Sequence, residues 1–294
     1  MTQQTTVAVL GTGTIGSPIA VNLAKAGYQV VVWNRTPSRA AELSSEGIIV
    51  AESPAAAARD ADIVLTVLKD APAVLEVLEQ IGGGFRAGAI LVQIATVGAA
   101  GIEDIARVAA EYPIGLVDAP VLGTKGPAMA GQLVVLASGS PSHRERVDPL
   151  FAAIGKNTIW VAEEPGHASR LKVVLNALVA SLTHGVAESF RLADALDVDP
   201  ELVLQAISGG PLDSPFVMMK ARATVARDFE PSFTITNAIK DAQLVVDAAE
   251  RGGAWLPVSN AGLQRFQSAA DTGHGPRDMA ASYFADGSEG VTHG

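Results

Sequence analysis

Gly11-Thr12-Gly13-Thr14-Ile15-Gly16 sets three glycines at GxGxxG spacing, after the β-branched run Val7–Leu10 and at the start of the helical pattern Ile15–Ala26. That strand–loop–helix context is what a dinucleotide-binding loop requires; without it the same residues are an ordinary Gly-rich turn. The first glycine permits the tight turn, the second lets backbone N–H groups reach a pyrophosphate, and the third lets the helix pack close to the strand. The helix N-terminus then faces the anion. The second β-branched run, Val30–Trp33, leads into Asn34-Arg35-Thr36. A site for NAD usually carries an acid there for the ribose hydroxyls. Here no acid repels a 2′-phosphate, Arg35 can pair with it and lie across the adenine, and Thr36 adds a hydroxyl. Read as a site, the segment selects NADPH; read as structure, Arg35 is a solvated turn residue.

A second group of residues can do proton chemistry. Carbonyl reduction needs a hydride, which a nicotinamide supplies, and a proton. Lys172 interrupts the apolar stretch Leu171–Leu182. Desolvation there lowers a lysine's pKa, and the ammonium can both donate a proton and stabilise a developing alkoxide. Asn176, four residues on, shares its helix face and can orient the lysine or a substrate. By spacing alone, a lysine snorkelling out of an interface helix is the better reading. Lys240 and Asp241 are either an exposed charge pair or a group that reaches the nicotinamide ribose, with Asp241 fixing Lys240 or a water. The five histidines have no metal-ligand spacing, so no metal site is expected, and Asp118, just past a strand, reads as loop structure.

The elements that must hold these residues follow a two-part pattern. In the first half, further β-branched runs at Ile63–Leu68, Ala89–Ile94, Gly115–Val117, Leu133–Ala137 and Thr158–Val161 alternate with helical patterns. These helical stretches are Ser38–Glu46, Ala71–Gln80, Gly98–Glu111 and His143–Ile154. Such alternation predicts a Rossmann-type, doubly wound, mostly parallel α/β sheet with helices on both faces. Beyond Pro165 the strand signal stops. His167–Asp194 reads as one long helix, apolar around most of its circumference and so buried in a core or against another subunit. Helices follow at Pro200–Ile207, Ser214–Arg227, Ile235–Gly252 and Leu256–Thr272, and the polar, Gly-rich tail Ala285–Gly294 is expected to be loose. The expected domains are therefore 1–164, α/β and cofactor-binding, and 165–294, an all-α C-terminal domain.

Composition narrows the functions. With 48% hydrophobic and 18% charged residues in 294, the chain is expected to fold as a globular protein. The absence of cysteine removes thiolate nucleophiles, disulfides and cysteine-ligated metals. A formal charge of −10 argues against non-specific nucleic-acid binding. The start of the chain does not look like a signal peptide, and Leu171–Leu182 is shorter than the roughly 20 residues of a membrane span. A cytoplasmic protein without membrane or nucleic-acid partners is the expectation.

At this point the chain resembles the β-hydroxyacid dehydrogenase family, nearly end to end. GTGTIGSPIAVNLAKAG (Gly11–Gly27) followed by WNRT is similar to the NADPH-using glyoxylate/succinic semialdehyde reductases. Asp118-Ala119-Pro120-Val121-Leu122-Gly123-Thr124 resembles the family's substrate loop. Gly166–Asn176 resembles GxGxxxKxxNN, whose lysine is catalytic. Phe233 to Asp241 resembles the segment that closes over the nicotinamide. The resemblance implies catalytic roles for Lys172 and Asn176. It implies cofactor contacts from the Gly11–Gly16 loop, Asn34, Arg35, Thr36, Val67, Leu68, Lys69, Thr96 and Lys240. Substrate contacts are implied for Leu122, Gly123, Thr124, Phe233 and Asp241.

Three departures bear on substrate. Leu122 replaces the usual serine of the loop, Ala168 replaces a glycine, and Leu175 replaces the first of two asparagines. A buried substrate carboxylate would lose donors there, which favours a bulkier or more apolar carbonyl compound. The resulting expectation is an NADP(H)-dependent reductase of a small aldehyde or keto acid, forming a homodimer or homotetramer through its helical domain. The competing readings are an imine reductase, against which Lys172 counts, and a non-catalytic NADP-binding module, whose relatives lose that lysine.

Overall fold

The computed structural model describes residues 4–286. The chain divides into two compact units, one ending at Lys172 and the other beginning at Val173. The change of sequence pattern near Pro165 comes slightly earlier, because the helix that starts at His167 belongs to the first unit for its opening turns.

In the first unit, strands β1 (Thr6–Leu10), β2 (Gln29–Trp33), β3 (Ile49–Val50), β4 (Ile63–Thr66), β5 (Ile90–Gln93) and β6 (Gly115–Asp118) run parallel in the order β3-β2-β1-β4-β5-β6. β8 (Leu133–Gly139) continues the sheet antiparallel to β6. β7 (Val121–Leu122) and β9 (Gly155–Ala162) both pair with β8, antiparallel and parallel respectively. Side chains alternate between the two faces, and both faces are covered. Val7 and Val9 of β1 pack with Ile19 and Leu23 of α1 (Gly16–Lys25) and with Leu150 and Phe151 of α7 (Pro141–Ile154). Ala8 and Leu10 pack on the other side with Ala57 of α3 (Pro54–Ala58), Val74 and Leu78 of α4 (Ala71–Ile81), and Ile102 and Ile105 of α5 (Gly98–Ala109). Strands buried on both faces read as near-continuous apolar runs, which is why they were legible.

The short elements were not. β3, β7, α3 and α6 (Lys125–Met129) have two or five residues each, too few for a period to register. The expected helix Ser38–Glu46 is α2 (Pro37–Ala41) continuing into a 3₁₀ turn, Glu42–Glu46, that ends at Gly47 with φ +74°. The run Ile63–Leu68 leaves the sheet after Thr66. Ser53-Pro54, Ser140-Pro141, Asp199-Pro200 and Ser214-Pro215 each join an N-cap acceptor to a proline in the first turn, a local signal that the apolar pattern does not carry: it showed no helix at Pro54 and placed the start of α7 at His143 rather than Pro141.

α8 (His167–Ala195) is 29 residues long and crosses from the first unit into the second. It is longer than the apolar stretch counted in the sequence. By length and hydropathy it could cross a bilayer, with 39% of its most apolar window buried inside the protein. Val173, Asn176, Thr183, Val186 and Phe190 are buried, whereas Val174, Leu178 and Leu192 are more than half exposed, so its apolar character is only partly covered within the chain.

The second unit is helical: α9 (Pro200–Ile207), α10 (Pro215–Val225), α11 (Ile235–Gly252) and α12 (Pro257–Ala269) join the rest of α8. Its core includes Phe190, Met218, Phe229, Ile235 and Phe266. A buried 3₁₀ segment, Met279–Phe284, completes it with Tyr283. That segment has no period visible in sequence. Of the tail expected to be loose, Ala285 is buried and Asp286 accepts from Arg191; the remainder lies outside the described residues.

Candidate active site

The order β3-β2-β1-β4-β5-β6 reverses direction between β1 and β4, and ligands of such sheets bind at the carboxyl ends of the strands at that switch point. The loop residues Gly11–Gly16 follow β1, Asn34–Thr36 follow β2, Val67–Lys69 follow β4 and Thr96 follows β5. All the cofactor residues expected from the first unit therefore lie on one edge of one sheet.

The three loop glycines differ in kind. A Cβ on Gly11, whose φ is +107°, would stand 2.3 Å from the Val67 carbonyl oxygen, and one on Gly16 would stand 1.9 Å from the Gly11 carbonyl oxygen. Both are packing requirements that bring α1 and the β4 loop against β1. Around Gly13 nothing lies within 4 Å, so that glycine clears space rather than packing. Thr12 is buried and its Oγ1 has no hydrogen-bond partner, and the start of α1 has no side-chain cap. Free backbone donors, an unused hydroxyl and open space over the middle glycine fit a dinucleotide pyrophosphate. Asn34 is used by the loop itself: its Oδ1 accepts the Thr12 N–H at 3.1 Å and its Nδ2 donates to the Thr36 carbonyl at 3.0 Å. Arg35 and Thr36 are exposed beside it.

Gln93 is a positioning residue that the sequence reading missed. It is fully buried at the end of β5. Its side chain donates to the Ala95 carbonyl at 2.6 Å, accepts the Ala95 N–H at 2.8 Å and accepts the Thr66 hydroxyl at 3.2 Å. It thereby shapes the turn that presents Thr96. A polar residue among apolar strand neighbours was the available signal.

Leu122 ends β7 partly exposed, and Gly123 follows at φ +134°, a conformation that favours glycine. A Cβ on Gly123 would also meet Leu133 Cδ2 at 2.7 Å. Thr124 precedes α6. Asp118, expected as loop structure, is instead the last residue of β6 and fully buried. Burial pushes its carboxyl above the usual carboxylate range, against hydrogen bonds from Ser169, Gly166 and Ser138 that pull it down. Lys172 is partly exposed on α8.

In the second unit, Asn176 and Asp241 meet. The Asn176 amide donates to Asp241 Oδ2 at 3.1 Å, and both residues are buried. The Lys240 ammonium stands 2.7 Å from Asp241 Oδ1 as an ion pair, outside hydrogen-bond alignment, so that oxygen has no hydrogen-bond donor. Lys240 and Asp241 are thus no solvated charge pair: the aspartate is tied to the helix that carries Lys172. Phe233 is half-buried against the helical core, immediately before the Thr234 cap of α11.

A dinucleotide-binding sheet followed by a helical unit, with a lysine and a buried Asn–Asp pair, defines an NAD(P)-dependent oxidoreductase. Residues 6–162 match the model of the NAD-binding domain of 6-phosphogluconate dehydrogenase, and residues 166–284 match the NAD-binding model of NADP-dependent 3-hydroxyisobutyrate dehydrogenase. The chain is 29% identical to glyoxylate/succinic semialdehyde reductase 1 of Arabidopsis thaliana, over 94% of this chain and 96% of that protein. It is 32% identical to a probable mitochondrial 3-hydroxyisobutyrate dehydrogenase-like protein of the same plant, over 96% and 85%. The crystal structure of 3-hydroxyisobutyrate dehydrogenase from Salmonella typhimurium superposes with a TM-score of 0.88 at 25% identity, covering 95% of this chain and 99% of that one. The chain belongs to the β-hydroxyacid dehydrogenase family.

Proposed function

We propose that the protein is an NADPH-dependent reductase that converts a small aldehyde or keto acid to the hydroxy compound. When bound, NADPH would be held by the Gly11–Gly16 loop and Arg35 and would supply the hydride for the carbonyl carbon. Lys172 Nζ gives its proton to the carbonyl oxygen, and its charge stabilises that oxygen as it becomes an alkoxide. The observation that carries this reading is the Lys172–Asn176 pair on α8, with Asn176 held by buried Asp241. The preference for NADPH rests on Arg35 and on the lack of an acid at the end of β2.

The exposed apolar residues of the helical unit support a homo-oligomer. Val174 and Leu178 on α8 lie more than half exposed, as do Trp255 and Val258, and Leu178, Trp255 and Val258 line one groove. We assign that face to a second copy of the chain.

The test is cofactor consumption with a panel of glyoxylate, succinic semialdehyde, tartronate semialdehyde, an apolar ketone and a cyclic imine, each with NADPH and with NADH. Turnover of an aldehyde or keto acid with a higher kcat/KM for NADPH is expected. Lys172→Ala should lower kcat by about 100-fold or more. No carbonyl turnover, or an unchanged kcat in that variant, rejects the reading.

A further inference from the structure

Asp118 has a role that neither its sequence context nor the proton chemistry assigned above accounts for. Its carboxylate collects four donors. The N–H groups of Gly166 and Ser169 reach Oδ2 at 3.1 and 2.8 Å, the Ser169 hydroxyl donates to Oδ1 at 2.7 Å, and the Ser138 hydroxyl approaches Oδ2 at 3.4 Å. Ser138 Oγ in turn accepts the Ala168 N–H at 3.0 Å. The open N–H groups at the start of α8 are therefore taken by side chains of β6 and β8. A helix start normally relies on a capping residue of its own. Gly166, at φ +104°, adopts the left-handed conformation that turns its N–H toward the sheet.

This cap joins a fixed point of the sheet to a fixed point of the helix. Three backbone N–H groups and one hydroxyl set both the height and the rotation of the first turn of α8. Lys172 follows Ser169 by three residues, one turn further on the same side of the helix. A carboxylate at a helix N-terminus also opposes the positive end of the helix dipole, which otherwise disfavours an ammonium nearby.

We propose that Asp118 is a positioning residue for Lys172, locking the start of α8 to the end of β6 so that the lysine is presented in one place and in its ammonium form. The proposal rests on Lys172 being the proton donor. Other charged groups at this helix start are exposed: Arg170, paired with Glu103 of α5 at 3.3 Å, His167, and Glu163 and Glu164 in the preceding turn. None of these shares the buried cap.

The test is Asp118→Asn in the full chain, assayed with the best carbonyl substrate of the panel. NADPH affinity is followed by fluorescence, and the pH limb of kcat that Lys172→Ala abolishes is measured. The expected result is unchanged NADPH affinity, kcat at least fivefold lower, and that limb displaced to lower pH. A variant with lower thermal stability but wild-type kcat and an unmoved limb would show a structural cap only and overturn the proposal. If Asp118→Asn does not fold, Ser138→Ala combined with Ser169→Ala removes both hydroxyls of the cap and the acceptor of the Ala168 N–H; a wild-type kcat and an unmoved limb in that double variant overturn the proposal equally. Lys172→Ala with wild-type kcat would defeat the proton-donor reading and this proposal with it. A normal loss in Lys172→Ala with an unmoved limb in Asp118→Asn defeats the positioning role alone.

Discussion

Asn176 on α8 donates its side-chain amide to Asp241 on α11 at 3.1 Å, joining residues 65 positions apart in the chain. The bond takes one of the two Nδ2 hydrogens and so fixes the orientation of the amide. Asp241→Asn keeps the shape and removes the charge. It is expected to lower kcat about tenfold, the worth of one buried charge-assisted hydrogen bond. Steady-state kinetics at saturating NADPH reads this directly, and a wild-type kcat would detach Asp241 from the reaction.

The loop glycines should separate by stability and binding. Gly16→Ala puts a methyl 1.9 Å from a backbone oxygen and should cost about 3 kcal/mol or more. Gly13→Ala has room in the empty loop, so its stability should change by less than about 0.5 kcal/mol. The same methyl would occupy the space assigned to the pyrophosphate, and the NADPH dissociation constant should rise at least about tenfold. Denaturant melts and NADPH titrations of the two variants check both halves; normal NADPH binding by Gly13→Ala would place the phosphates elsewhere.

Arg35 is exposed and free of structural duty, unlike Asn34, which braces the loop. Arg35→Ala should therefore leave the fold intact and lower the ratio of kcat/KM for NADPH over NADH by about tenfold, as loss of a charge-assisted phosphate contact would. An unaltered ratio would return Arg35 to the solvent.

Leu122 offers a methyl-rich surface where the family's loop usually has serine. Leu122→Ser should lower KM for glyoxylate by restoring a donor for its carboxylate, and raise KM for the apolar ketone. A glyoxylate KM that stays the same or rises would mean that Leu122 does not set carboxylate preference.

His184 supplies a pH dependence. It is buried beside Phe266 and Gly262, and burial, then the nearby Arg265 charge, push its pKa down to about 4. A histidine kept neutral by the fold contributes stability that is fully present above its ordinary value near 6.5 and is lost as pH falls toward 4. The loss amounts to about 3 kcal/mol. His184→Leu should flatten the fall in melting temperature between pH 6.5 and 4. Asp278 acts lower on the scale. Burial alone would raise its carboxyl, but the Lys220 ammonium at 2.6 Å and the surrounding donors hold it below the usual range. Its contribution therefore persists to lower pH. An equally steep fall in the leucine variant would assign the acid loss to other groups.

Much of the molecule follows from local pattern. Strands buried on both faces have to be apolar without interruption, so β1, β2, β4 and β5 were visible as runs. The nucleotide loop was legible because its glycines, its preceding strand and its following helix are contiguous, and the family resemblance followed from motifs of the same local kind. Lys172 and Asn176 shared a face because four residues is about one helical turn.

What waited for the tertiary structure are relations between distant segments. Whether a loop glycine packs or makes room depends on Val67, which no periodicity links to Gly11 or Gly13. Asp118 read as a loop residue because its donors come from β8 and from the start of α8, and a carboxylate gives no local sign of what it will accept. In sequence Asp241 could be either a solvated partner of Lys240 or a site residue, and only the fold brings Asn176 of α8 against it. Chain neighbours decide conformation within a turn or a strand. Which polar groups are satisfied in a buried place is decided by whatever else is buried there, and only the folded chain brings those groups together.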